Sequence, residues 1–239
     1  MRCFVADEKK YLKQFKVFER EVDTGFKNIV LHFGINRISI KNTKPLQSTA
    51  EFWNYSLYNA ATVSIMTLGR IFDVNSPFNI HELISSIGYR EDELHFFSHN
   101  LLKQRKDIDF FDKYIEGEEE FSKQDFRNIS NEKKRIHKKY KEYLVDYRHS
   151  LIGHRLVEHP DELNNKGQFK YIDILDIYLS LYNIKMGLWS RYHNGRDQDE
   201  LVFDDLEYLI DNIDDQNTRT PRYIWMVRDF WKLYNLLSD

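Results

Sequence analysis

Glycine and proline are scarce in this chain, 9 and 4 in 239 residues, about 5% where globular proteins have about 12%. That scarcity argues against a turn-rich all-β fold. Cysteine is all but absent: Cys3 stands alone, which excludes an internal disulfide or a Cys-rich zinc site and suits a reducing compartment. Long hydrophobic runs are missing too. Ile29-Val30-Leu31 and Ile71-Phe72 fall far short of the ~20 residues that span a bilayer, and the first ten residues, MRCFVADEKK, lack the apolar stretch of a secretory signal. A cytoplasmic protein without a membrane partner is expected. Neither sign of charge dominates: 35 basic and 38 acidic residues leave a net charge of -3. Binding to a polyanion would therefore need a local patch, since affinity follows the phosphates contacted rather than total charge. Also absent are a Gly-rich phosphate loop, a G-x-S-x-G elbow, an H-E-x-x-H pair and the kinase motifs. What remains is 41% apolar and 15% aromatic, enough for a sizeable core.

Apolar residues recur at spacings of three and four, the period of an amphipathic helix. Tyr11, Phe15, Phe18, Val22, Phe26, Ile29 and Phe33 predict a first helix over 6–33. Ser48-Thr49-Ala50-Glu51 reads as a capping box opening a second helix to about Phe72 through Phe52, Tyr55, Tyr58, Ile65 and Leu68. A short helix over 80–87 should stop at Gly88. Further helices are expected over 91–115, from about 130 to 154, over 172–192, over 204–213, and from Thr220-Pro221 onward, where Pro suits a first turn. Only Arg37 to Ile40 hints at β-structure. The four Trp residues, Trp53, Trp189, Trp225 and Trp231, fall mostly at core-spaced positions. The fold class expected is all-α, a helical bundle with appended helices.

The segment over 130–154 carries the chemistry. Its first half is basic, with Lys133, Lys134, Arg135, His137, Lys138, Lys139 and Lys141, and its end reads Tyr147-Arg148-His149-Ser150-Leu151-Ile152-Gly153-His154-Arg155. Two His and two Arg in eight residues combine groups that trade a proton near neutral pH with forks that hold phosphate and stabilise developing charge. That pairing suits phosphodiester chemistry without a metal. Six residues along an ideal helix separate Arg148 from His154 by ~9 Å axially and ~120° in azimuth, so either the helix bends or two chains contribute. A similar Arg-to-His pairing, one residue shorter, recurs at Arg90 to His95, but Glu91, Asp92 and Glu93 between them would repel phosphate. Arg70 and Asp73 are expected to form a local salt bridge or cap.

Arg148, His149 and His154, with Gly153 before the last and Arg155 after it, resemble the R-polar-x-H motif of the HEPN superfamily, in the style of its abortive-infection branch. Leu68-Gly69-Arg70-Ile71-Phe72-Asp73 is similar to an L-x-R-L-F-D segment of that branch. The resemblance implies one all-α domain over 1–239, with a HEPN-like core at about 48–195 and helical extensions at 1–47 and 196–239. It implies a metal-independent endoribonuclease, active as a homodimer in phage defence or as a toxin. His154 would be general acid or base on the ribose 2′-OH and the leaving oxygen, and Arg148 would stabilise the phosphorane. His149, Arg155, Lys138 and Lys141 would hold the RNA. No cofactor or metal is implied; a cognate antitoxin or defence-system partner is. Many members of the superfamily keep the fold without cutting RNA, so a non-catalytic RNA-, nucleotide- or protein-binding module is the alternative. The acidic C-terminal residues Asp197, Asp199, Glu200, Asp204, Asp205 and Glu207 would mask the basic helix in another state.

Overall fold

Helix α1, Glu8–Ser39, sits at the centre of the molecule because its apolar stripe is unusually wide. Tyr11, Phe15, Phe18, Val22, Phe26, Ile29, Val30, Ile35 and Ile38 are all buried, each stabilising the fold by about 1.5–3 kcal/mol when fully removed from water. The computed structural model describes residues 8–40, 44–47, 49–88, 96–106, 111–148, 171–214 and 221–236. Among these there is no strand, and no helix is long and apolar enough to cross a membrane. Arg37 to Ser39 continue α1 rather than forming β-structure, since Ile38 is buried and the Arg37 guanidinium binds Asp211 at 2.6 Å.

After the one-turn α2, Lys44–Gln47, comes α3, Ala50–Phe72. Thr49 is its N-cap and makes no side-chain capping bond, while Ser48 lies outside the described residues. Phe52, Tyr55 and Tyr58, expected inside, are exposed. One residue is 100° of helix, and α3 turns Trp53, Ala60, Ala61 and Ser64 inward instead, with Ile65 and Leu68 buried as expected. The small residues on that line let α1 and α3 approach closely. At the junction Tyr178 is fully buried and donates to the Ser64 carbonyl at 2.6 Å, with Thr67 also in hydrogen-bond contact with its hydroxyl. A Cβ on Gly25 would collide with that hydroxyl, so glycine is required there for the close approach.

Helix α4, Ile80–Ile87, begins with the Asn79 side chain accepting from the His81 and Glu82 amides and ends at Gly88, whose φ of 47° suits glycine. The single helix expected over 91–115 does not cover 96–98, which are not helical. The described helices in that stretch are α5, His99–Lys106, and α6, Phe111–Tyr114, and residues 89–95 and 107–110 lie outside the described set. Gly117 follows at φ 82°.

Helix α7, Lys123–Tyr143, starts a full two turns before the basic run suggests, because Ser122 and Asp125 form a reciprocal capping box. It kinks at Leu144 (φ -117°, ψ -19°) into α8, Val145–Arg148. Helix α9, Tyr171–Asn194, is buried on most of its circumference and packs on α1 and α7. It stops at Gly195, φ 71°. Helix α10, Phe203–Asp211, follows an acidic strap whose Leu201 backbone is held by Asn183 through bonds of 2.9 and 3.0 Å. Pro221 leads through a 3-10 turn, Arg222–Ile224, into α11, Trp225–Leu236, and Val227 of α11 fills the space above Gly34 of α1. Of the tryptophans, Trp53 is buried and Trp231 partly so, whereas Trp189 and Trp225 face outward.

Candidate active site

The site is built where α8 packs against the end of α3. Leu144 is fully buried and anchors the kink. Helical hydrogen bonding nevertheless runs through it, the Leu144 amide donating to Tyr140 and the Arg148 amide to Leu144, both at 2.9 Å. The result is a short turn carrying Arg148 onto α3 over Gly69. A Cβ on that glycine would lie 2.8 Å from the Arg148 Cδ and closer still to Nη1. Arg148 is half-buried, and its charge favours the ionised form of Tyr140, against burial, which is the larger effect and raises that phenol's pKa.

One helical turn beyond Gly69, Phe72 is the floor of an aromatic stack. His137 of α7 lies flat on it at 5.2 Å between centroids and 5° between planes, and Tyr140 stacks at 4.9 Å and 25°. His81 of α4 meets His137 edge to face at 4.7 Å. Burial, then the charges of Lys133, His137 and Lys141, lower the His81 pKa to about 4, Glu82 alone opposing them. Burial and the same two lysines lower His137. Both rings are therefore neutral near pH 7. Lys133 is itself shifted down by burial and by Lys134.

The basic run thus divides into faces. Arg135 and Lys139 turn to α9, Arg135 pairing with Glu132 at 2.7 Å and Asp176 at 3.1 Å, and Lys139 with Asp176 at 2.8 Å. These two are structural cations. Lys133, His137 and Lys141 follow one another at steps of four, a single stripe facing α4, while Lys138 and Lys141 are exposed. On the far side of the bundle a cleft of about 910 Å³ opens between α7, α9 and the acidic strap. There Arg191 binds Asp197 at 3.0 Å.

Of the residues expected to act, Arg148, Lys138 and Lys141 are described, the two lysines on α7 and the arginine on α8, either side of Leu144. His149, His154 and Arg155 lie outside the described residues, as do Arg90 and His95. Arg70 does not pair with Asp73. It reaches Glu21 of α1 at 2.7 Å, while Asp73 accepts from the Asn75 amide at 3.0 Å, because the end of α3 points Arg70 across to α1. Of the acidic C-terminal residues, Glu207 pairs with Arg37 at 2.5 Å and Asp205 accepts from the Val202 amide at 3.2 Å. Sequence reading missed the His81–His137 pair. His137 carried a signal, four residues after Lys133 and three before Tyr140, but His81 reaches it from another element. Among the described residues no group of three or more His, Cys, Asp or Glu could hold a metal ion.

Neither a curated protein nor a solved structure matches the chain. The family model HEPN_AbiU2, described as AbiU2, matches residues 9–218. That span takes in α1, the L-x-R-L-F-D-like end of α3, the basic helix and the Arg148–His154 motif, and it sets the all-α bundle as HEPN-like. The chain belongs to the HEPN_AbiU2 family, a HEPN-type abortive-infection family.

Proposed function

We propose that this protein is a metal-independent endoribonuclease, acting as a homodimer in the cytoplasm, in phage defence or as a toxin. The observation that carries the reading is the seat of Arg148: a guanidinium held over Gly69 at the end of a helix whose outward face is cationic. A positioned guanidinium stabilises charge only as it develops on phosphorus, which is what lowers the barrier. His154, six residues on, takes the proton of the ribose 2′-OH or gives one to the departing 5′-oxygen. The 2′-oxygen attacks phosphorus, the bond to the 5′-oxygen breaks, and the products are a 2′,3′-cyclic phosphate and a 5′-hydroxyl. Lys138 and Lys141, with His149 and Arg155, hold the flanking phosphates. In a dimer two such motifs share one cleft, and a cognate antitoxin or defence partner restrains them.

The test is to incubate wild type, Arg148→Ala and His154→Ala with total RNA in EDTA and to map the fragment ends. Cleavage by wild type alone, leaving cyclic phosphates, is expected. Equal cleavage by all three proteins, or none by wild type, refutes the reading and favours a binding module.

A further inference from the structure

The stripe on α7 and the histidine facing it form a cationic patch of which the proposed reaction uses Lys141 alone, leaving Lys133, His137 and His81 without a role. Lys133, His137 and Lys141 span eight residues, about 12 Å of helix, and His81 closes the patch from α4. The carboxylates nearby are already engaged: Glu82 takes Lys10 of α1 at 2.8 Å, and Asp176 takes Arg135 and Lys139 on the opposite face of α7. Asp73 stands at the Tyr140 end, where Arg148 acts on the same phenol. Among the described residues, two lysines and two imidazoles therefore sit together with a single carboxylate, Glu82, acting on His81. The His81 Nε2 is buried with no hydrogen-bond partner among the described residues, so a second proton on that ring has nothing within the patch to stabilise it. An anion supplies what the patch lacks. Phe72 fixes the orientation of His137 from below and, through Gly69 one turn earlier, connects this patch to Arg148.

We infer that Lys133, His137, Lys141 and His81 form a phosphate subsite that grips a single RNA strand beside the phosphodiester held by Arg148. The inference rests on the ribonuclease reading and adds to it a pH-dependent grip. With both imidazoles neutral in the free protein, a bound phosphate raises their proton affinity, and RNA binding takes up protons. Binding therefore tightens as pH falls.

Anisotropy with a short 2′-O-methyl oligoribonucleotide, which cannot be cleaved through its 2′-oxygen, tests the subsite apart from the chemistry. Wild type should bind about tenfold more tightly at pH 5.5 than at pH 7.5 at constant salt, as expected when a phosphate raises the proton affinity of a nearby imidazole. His81→Gln/His137→Gln should lose that dependence while melting as a folded protein. Lys133→Gln/Lys141→Gln, changed on the face of α7 away from Asp176, should flatten the dependence of log Kd on log salt by about 0.7 for each phosphate that is no longer neutralised. Unchanged pH and salt dependence in both double variants, or no binding by wild type, overturns the subsite. If cleavage of total RNA persists in that case, the ribonuclease reading stands. Binding with the expected dependences, but no cleavage by wild type, refutes the ribonuclease reading and keeps the subsite.

Discussion

Replacing Gly69 by alanine separates the stability of the fold from the placement of Arg148. Within a helix, alanine is favoured over glycine by about 1 kcal/mol, worth some 2–4 °C in Tm for a chain of this size. At Gly69 the added methyl meets the Arg148 Cδ at 2.8 Å and its Nη1 more closely still. These atoms belong to a flexible side chain, so the guanidinium moves and the helix does not. Stability should stay within about 1 kcal/mol of wild type, the gain in propensity offsetting the poorer packing. Cleavage should fall about 100-fold, the usual consequence of moving a transition-state contact by about 1 Å, or about 2.7 kcal/mol of barrier. Gly187→Ala is the control. In α9 its new Cβ has nothing closer than the Asp197 Oδ1 at 3.9 Å, so it should raise Tm by about 2–4 °C and leave cleavage unchanged. Differential scanning fluorimetry and a single-turnover cleavage assay on the two variants give the comparison. Wild-type cleavage by Gly69→Ala would refute the claim that the seat on α3 positions Arg148.

Gly25→Ala should be severe, because its Cβ would strike the buried Tyr178 hydroxyl and break the bonds to Ser64 and Thr67. A loss of about 3 kcal/mol, seen as Tm lower by about 6–12 °C, is expected, and a drop under about 2 °C would count against the three-helix contact. Stability should fall as pH drops from about 6.5 towards 4, since burial pushes His32 down to about 4 while the unfolded chain titrates near 6.5 and binds the proton first. Equal urea midpoints at pH 7.5 and pH 5 for wild type, or an unaltered difference in His32→Gln, would contradict this. Lys185 is 7% exposed and bonds Asp23 at 2.6 Å. Asp23→Ala should cost about 1–2 kcal/mol, less than for a fully buried pair because Asp23 is partly exposed, and a chemical-denaturation midpoint equal to wild type would show the pair to be inert.

Helix by helix, much of the fold was legible because burial repeats with the period of the backbone: Phe15, Phe18, Val22, Phe26 and Ile29 mark the inner face of α1 without any structure. The inner face of α3 was legible at Ile65 and Leu68 but not over its first half, where Phe52, Tyr55 and Tyr58 face outward. Its aromatic residues are larger than Ala60, Ala61 and Ser64, yet the small ones face α1, since what matters there is how closely two backbones approach rather than how apolar each side chain is. Arg148 could be found from its neighbours in the chain. Gly69 and Phe72 stand in the segment that resembles L-x-R-L-F-D, but their contacts with Arg148 and His137 could not be read, and His81 could not be found at all, because each reaches the site from a helix other than the one that bears the motif; the pairing of Arg70 with Glu21 rather than Asp73 is likewise a property of how α3 meets α1.

The kink at Leu144 has a bearing on how this protein can diversify. Had α7 run straight through, Arg148 would lie within about 20° of Lys141 and of His137 in azimuth, and any shift of the basic stripe would carry the arginine with it. With one distorted residue between them, pinned by its own burial, the stripe and the arginine both rest on α3, through Phe72 and Gly69, but among the described residues only the stripe also meets α4, through His81. On the proposed function, substitutions on the α4 side of α7 would then retune which strands are held, and under which salt and pH, while the arginine keeps its seat on Gly69.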